Sequence, residues 1–207
     1  YLIKRGMKVV VFDKLPGGVL GDITSPLDVR MVFEQYGPFE TVFHLASAMP
    51  DKVITDDETL KVNIDGTVNV ASEAAKHKTR SFVFTSSNVA YGIPKELPVN
   101  EETPLIPLEA YGKSKAQAEV ELEKFKGQIN IQIFRCPVIT GIGRLGLQSI
   151  LFEFISEDRN VYLLGDGSNI YQFVDAMDVC VALELASHMK GFDIYTIGGD
   201  GVMPLRE

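Results

Sequence analysis

The sequence predicts a doubly wound α/β domain, a parallel sheet with helices on both faces. Three observations point there. Short, continuously apolar runs recur along the chain, as expected of strands buried on both sides. Helix-like segments with their own start signals alternate with those runs, which is the pattern of βαβ units. The 207 residues, 45% of them hydrophobic, are enough to bury one full core.

The elements follow in order. Tyr1 to Arg5 reads as the last turn of a helix with Gly6 as its stop. A doubly wound sheet does not start on a helix tail, so one strand, one turn and most of a helix are expected before Tyr1. Residues 8–13 read as a buried strand ending in Asp13, and Gly21, Asp22 and Ile23 stand where the next strand ends. Ser25 and Pro26 open a helix, the serine as N-cap and the proline at the first helical position. Residues 41–46 read as a strand, 60–77 as a helix and 81–87 as a strand, followed by a polar, proline-rich loop reaching Pro107. A helix opens at Tyr111 and a strand covers 129–134. Beyond lie a helix over 147–155, a short strand over 161–164, a helix over 178–188 and a strand over 194–197. The last residues, from Met203, resemble the start of a further helix.

Composition excludes several classes. The net charge is −8, and no Lys/Arg run is long enough for a nucleic-acid footprint. The longest apolar stretches are strand-length, too short to span a membrane, and no basic-then-apolar leader is visible. Cys136 and Cys180 make no Cys-x-x-Cys and read as two reduced thiols of a cytoplasmic protein. His44, His77 and His188 lack carboxylate or cysteine companions at ligand spacing, so no metal site is assigned. His44, inside an apolar strand, reads as a satisfied core histidine.

The chemistry is carried by Tyr111 and Lys115. Positions i and i+4 share a helix face, so the phenol and the ammonium can point into one pocket. There a cation stabilises the phenolate and makes the tyrosine a usable acid or base near neutrality. The spacing alone reads first as a solvated surface pair. Tyr91 and Lys95 repeat it, but Gly92 and Pro94 make that copy a turn. Ser87 ends a strand where its hydroxyl could hold a substrate oxygen beside the phenol; by itself, Thr85-Ser86-Ser87 is a polar strand exit. Asp13 ends a strand where an acid can accept bonds from ribose hydroxyls and favour NAD over NADP, or can simply form a turn. Asp22 could bind an adenine amino group. Asn63 and Gly66 are poor helix residues inside a predicted helix, so a structural reason is expected. For Asn63 that is either a bond to neighbouring backbone or a link in a proton relay. Gly141, Gly143 and Gly146 match Gly-x-Gly-x-x-Gly, yet the acid at the required distance, Asp166, sits in a Gly-Asp-Gly turn. That stretch reads as a flexible substrate-side loop.

In order along nearly the whole chain, these residues resemble the extended short-chain dehydrogenase/reductase family, the NAD-dependent epimerase/dehydratase group. The resemblance runs through Phe12-Asp13, Gly21-Asp22-Ile23, His44 to Ser47, Asn63 to Val70, Thr85 to Gly92, Tyr111 to Lys115, Arg135 to Gly141, and Gly165 to Gly167 with Asp178. It implies NAD as cofactor, with Tyr111 exchanging a proton with the substrate hydroxyl and hydride passing to nicotinamide. Lys115 would tune the tyrosine and bind the nicotinamide ribose, and Ser87 would orient the substrate. Leu45, Ala46, Ser47, Thr85 and Ser86 would line the cofactor with Asp13, Asp22 and Ile23. Residues 1–140 would form the NAD-binding domain, without its first strand and glycine-rich turn, and 141–207 the substrate side.

The resemblance also has departures. Asn88 and Val89 stand where dehydratases carry an Asp-Glu pair, which argues against a dehydratase. Val138 replaces an asparagine and Tyr171 an arginine usual for nucleotide sugars. The expected function is therefore an NAD-dependent epimerase or dehydrogenase acting on a secondary hydroxyl of a small molecule. A nucleotide sugar is one substrate, with Ser87, Asn88, Val138 and Tyr171 facing it. The rivals are a reductase of a less polar alcohol, as in the steroid and flavonoid branches, and a non-catalytic dinucleotide sensor. The family implies a homodimer through the Asn63 and Tyr111 helices.

Overall fold

The computed structural model describes residues 1–49, 53–142, 147–160 and 165–204. In chain order the strands are β1 (Phe12–Asp13), β2 (Val19–Leu20), β3 (Thr41–His44), β4 (Ser81–Ser87), β5 (Asn130–Cys136), β6 (Val138–Thr140), β7 (Ile170–Tyr171), β8 (Phe173–Asp175), β9 (Phe192–Thr196) and β10 (Met203–Pro204). The helices are α1 (Pro26–Tyr36), α2 (Asp56–Lys76), α3 (Ala110–Glu123), α4 (Leu147–Ser156) and α5 (Ala176–Ala186). Strands β3, β4, β5 and β9 form the central sheet in that order, every pair parallel. The register sets Phe84 between His44 and Ile133, and Ser87 beside Cys136.

Helices cover both faces because both faces of β4 and β5 are apolar. Phe82, Phe84, Ile131 and Ile133 pack under α1, α2 and α3 through Val29, Phe33, Val70, Ala74, Ala118 and Leu122. Val83, Phe134 and Cys136 pack on the other side against Val179, Leu183 and Ala186 of α5. Doubly wound α/β architecture is thus what the chain adopts.

Local signals fix the helix starts. The Ser25 side chain accepts from the Asp28 N–H, with Pro26 at the first position of α1. Thr55 and Glu58 form a capping box, so α2 begins at Asp56, earlier than residue 60. Gly66 lies inside α2 because Ile23 packs on it: a Cβ there would stand 2.5 Å from Ile23 Cδ1.

Several expectations need correction. The strand over 8–13 shrinks to Phe12–Asp13, which pairs only with β2 in a separate parallel ladder. Met203–Pro204, read as the start of a helix, form a short strand antiparallel to β7, and edge strands tolerate proline; residues 205–207 lie outside the described residues. Strands β6 and β8 pair in their own parallel ladder, unread in the sequence. Leu2–Arg5 is a 3-10 turn stopped by Gly6 at φ 82°. The predicted strand over 161–164 lies outside the described residues.

Candidate active site

The site assembles where β4 ends and α3 begins. Strand β4 runs to Ser87, and a 3-10 turn over Asn88–Tyr91 follows. Helix α3 starts after Glu109, whose side chain accepts from the Gly112 N–H at 3.3 Å. Tyr111 is the second residue of α3 and is half-buried; Lys115, one turn on, is 2% exposed. The Lys115 ammonium donates to the Thr85 carbonyl at 2.9 Å and lies 5.7 Å from the centre of the Tyr111 ring and 4.8 Å from that of Phe84. Phenol, ammonium and the end of β4 therefore converge. Tyr91, by contrast, is buried and turned away from its exposed neighbour Lys95, so the second Tyr-x-x-x-Lys pair does not form.

Burial lowers Lys115 to about 8. The same burial pushes the Cys136 thiol up to about 12. Lys115 makes one hydrogen bond among the described residues, which leaves two ammonium N–H groups available to a ligand.

Asn63 is buried in α2 with its amide fully used. Its oxygen accepts from the Ala48 N–H at 2.7 Å and the Ser47 hydroxyl at 3.2 Å. Its nitrogen donates to the Ala48 carbonyl at 2.9 Å and the Ser114 hydroxyl at 2.8 Å, and Ser114 in turn donates to the Tyr111 carbonyl at 2.7 Å. These bonds clamp the loop after β3 to α3 and take up both acceptor sites and both N–H groups of the amide. That loop carries Leu45, Ala46 and Ser47, all exposed at the carboxyl end of β3. Thr85, half-buried on the next strand, donates from its hydroxyl to the His44 carbonyl at 3.2 Å.

The remaining residues are placed more variously. Asp13 is exposed at the end of β1, where one oxygen accepts from the Leu15 N–H at 2.9 Å, the turn role considered above. Asp22 accepts from the Thr24 N–H and hydroxyl, both at 2.8 Å, and pairs with Lys14 at 3.0 Å. Partial burial works to raise its carboxyl, but these partners hold it below the usual range. The Ile23 side chain is core, packed on Gly66, so only its backbone can face a cofactor. The Ser86 hydroxyl is committed to Glu119 and faces α3. Asn88 helps line a cavity of about 290 Å³ with Val89, Gly92, Leu108 and Glu109. Gly92 must be glycine: its φ is +65°, and a Cβ would stand 1.9 Å from the Ile106 carbonyl oxygen. Val138 is exposed at the start of β6, and the Tyr171 ring stacks on Phe173.

The Gly141 motif follows a strand, β6, and its residues 143–146 lie outside the described residues. Among the described residues no cluster of His, Cys, Asp or Glu could hold a metal, and no helix is long and apolar enough to cross a membrane.

Sequence reasoning missed Glu119 and the role of Arg135. Glu119 stands eight residues after Tyr111 and four after Lys115, on the same helix face, and Arg135 interrupts an apolar strand. Those were the signals available.

Comparison with known proteins agrees with the fold. The profile of the NAD dependent epimerase/dehydratase family matches residues 1–198. The chain is 33% identical over 218 residues to the uncharacterized protein y4nG of Sinorhizobium fredii, covering all of this chain and 54% of that protein. It is 30% identical over 157 residues to the sterol-4-alpha-carboxylate 3-dehydrogenase erg26, decarboxylating, of Schizosaccharomyces pombe, covering 74% of this chain and 45% of the relative. The chain thus spans about half the length of these two curated relatives. A UDP-glucose 4-epimerase from Thermotoga maritima, solved with UDP-glucose, superposes with a TM-score of 0.88 at 26% identity, over 99% of this chain and 73% of that one. The Thermus thermophilus UDP-glucose 4-epimerase in complex with NAD gives 0.83 at 25% identity, over 99% and 74%.

Proposed function

Since the chain belongs to the NAD dependent epimerase/dehydratase family, we propose that its site oxidises a secondary alcohol of a small molecule, with Tyr111 as the proton acceptor. The observation that carries this reading is the buried Lys115 ammonium, held on the Thr85 carbonyl and set beside the Tyr111 ring. A cation in that position favours the phenolate, the form that removes a hydroxyl proton. Ser87, at the end of β4, would accept or donate a hydrogen bond at the same substrate oxygen and hold it toward Tyr111.

NAD, when bound, supplies the hydride acceptor that a proton-transfer site alone lacks. The residues present fit it at the ribose end. Two ammonium N–H groups of Lys115 are left for ribose hydroxyls, and exposed Leu45, Ala46 and Ser47 with Thr85 line the carboxyl ends of β3 and β4. Asp13 would take the adenosine ribose through its second carboxylate oxygen. Low water access around Lys115 strengthens its effect on the phenol.

The solved relatives point to a nucleotide sugar as substrate and to epimerisation, in which the alcohol is oxidised and then reduced. Net dehydrogenation of a less polar alcohol is the second reading. It is favoured by the similarity to the sterol dehydrogenase and by the exposed apolar Val138. Product analysis separates them: an epimerase leaves the nicotinamide redox state unchanged, whereas a dehydrogenase accumulates NADH. Tyr111→Phe is expected to lower kcat by at least a hundredfold with KM little changed, as befits a group acting in the transition state. Unchanged turnover in that variant would remove the assignment. Pairing of two chains through α2 and α3 is part of the same proposal, to be read as a doubled mass in sedimentation.

A further inference from the structure

One turn beyond Lys115 a second charged group is buried. Glu119 is 5% exposed and Arg135 on β5 is 4% exposed. Arg135 Nη2 donates to Glu119 Oε2 at 2.8 Å, and its Nε lies 3.2 Å from both carboxylate oxygens. The Ser86 hydroxyl donates to Glu119 Oε1. The remaining guanidinium nitrogen, Nη1, donates to the Tyr91 hydroxyl and to the Glu101 carbonyl, each at 3.1 Å. Every guanidinium nitrogen and both carboxylate oxygens have a partner, so the cluster is a connected buried network.

Stability alone does not explain such a pair, because well-packed apolar residues serve as well or better. Its placement suggests a reason. Adjacent residues of β4 are tied to adjacent turns of α3: the Thr85 carbonyl to Lys115, and the Ser86 hydroxyl to Glu119. Two ties one residue apart on the strand and one turn apart on the helix fix both the sliding and the rotation of α3 over β4. Those are the two freedoms that would separate Tyr111 from Ser87.

We propose that Glu119 is a positioning residue for the Tyr111–Lys115 pair: clamped by Ser86 and Arg135, its carboxylate sets the register of α3 against the end of β4 and balances the Lys115 charge. The meaning of this role rests on reading Tyr111 and Lys115 as the reacting pair, but its test does not need turnover. Among the described residues, the groups facing Lys115 are Tyr111 and Glu119 from α3, Cys136 from β5 and His44 from β3, with the Thr85 carbonyl and the Phe84 ring from β4. Burial holds the Cys136 thiol at about 12 and His44 at about 3, so both are neutral where Lys115 titrates. That leaves the Glu119 carboxylate opposing the burial of the ammonium.

The test is an NMR titration of the full chain labelled with 13Cε-lysine, the Lys115 signal assigned by its loss in Lys115→Met. In Glu119→Gln the Lys115 midpoint is expected to fall by roughly one pH unit, since an anion that favoured the charged form is gone. The ring-current displacement of its methylene signals by Phe84 should shrink as the register loosens. Glu119→Asp, which keeps the charge, should restore most of the midpoint. Should Glu119→Gln not fold, Glu119→Leu with Arg135→Met removes both partners, a replacement buried pairs often tolerate; the two charges leave together, so the expected change there is the loss of the Phe84 ring-current displacement, with a smaller shift of the midpoint. A variant that merely melts earlier, with the Lys115 midpoint and ring shift both in place, would overturn the proposal. Where turnover is measured, Glu119→Gln should lower kcat about tenfold or more and move the alkaline limb to lower pH, with KM little changed. Absence of NAD-linked turnover in the wild type would count against the function proposed above and leave the titration readable.

Discussion

Lys115 is both charged and buried, and the fold bears a cost for it. Burial brings it from 10.5 to about 8, so near neutrality the ammonium form costs the folded state about 3 kcal/mol. Part of that is offset by the Thr85 carbonyl, and no apolar neighbour needs a cation there. A methionine of similar length would fill the same space without the charge, while leaving the Thr85 carbonyl short of a donor at a cost of about 1 to 3 kcal/mol. Lys115→Met is therefore expected to be neutral to about 2 kcal/mol more stable at pH 7 by urea unfolding, and to lose the proposed activity. A variant clearly less stable than wild type would mean the lysine is structural, which would weaken its assignment to the site. Asp22 shows the contrast: its charge is partly exposed and tied to Thr24 and Lys14, so it stores no comparable strain.

At the scale of elements, the site depends on how α2, α3 and the loop after β3 are joined, and Asn63 is the joint. Asn63→Ala frees the Ala48 N–H and carbonyl together, with an expected cost of about 2 to 4 kcal/mol. Hydrogen exchange at Ala48 should speed up far more than at Val83 in the central strand; equal protection at both would show that the loop holds without the clamp. The cap at Thr55 is exposed, and its loss should cost only about 1 kcal/mol. Much of this level was legible in the sequence. Strand β4 was read with its observed bounds because the apolar run Phe82 to Phe84 is flanked by Ser81 and by the polar exit Thr85-Ser86-Ser87. Helix α1 was read from Ser25 and Pro26, which act locally. Asn63 and Gly66 were flagged as misfits for a helix, and each has a tertiary partner, Ala48 and Ile23. What could not be read depends on partners distant in sequence. Residues 8–11 look like strand, but only Phe12–Asp13 has a ladder partner. Strands β6 and β8 are three residues each, too short for periodicity to register. The Glu119–Arg135 pair joins residues 16 apart across a helix–sheet contact; the helix spacing of Glu119 and the charge inside β5 mark each residue, but nothing local marks their pairing.

For the whole molecule, buried titratable groups on opposite sides of neutrality give a stability curve of definite shape. His44, bonded to Thr67 at 2.9 Å and stacked near Phe84, is held by burial at about 3 against its ordinary 6.5. Between those values the unfolded chain binds the proton and the fold does not, so stability falls as pH drops from 6.5 to 3, by up to about 5 kcal/mol. On the alkaline side two groups oppose each other. Lys115 releases its proton in the fold near 8 and in the unfolded chain near 10.5, so it makes stability rise with pH across that window. Cys136 keeps its proton in the fold to about 12 but loses it unfolded near 9.0, so it makes stability fall above 9.0. Their sum is a rise of about 1.4 kcal/mol from pH 8 to 9, a plateau to about 10.5, and a decline beyond, steepened by the raised Tyr195 phenol. Two variants take the sum apart. Cys136→Ala should let the rise continue to about pH 10.5, and Lys115→Met should remove it and start the decline near 9. Urea midpoints measured every half unit of pH decide this. A wild-type curve that falls steadily from pH 8 would mean that the Lys115 ammonium is not buried, and the central observation behind the proposed proton transfer would go with it.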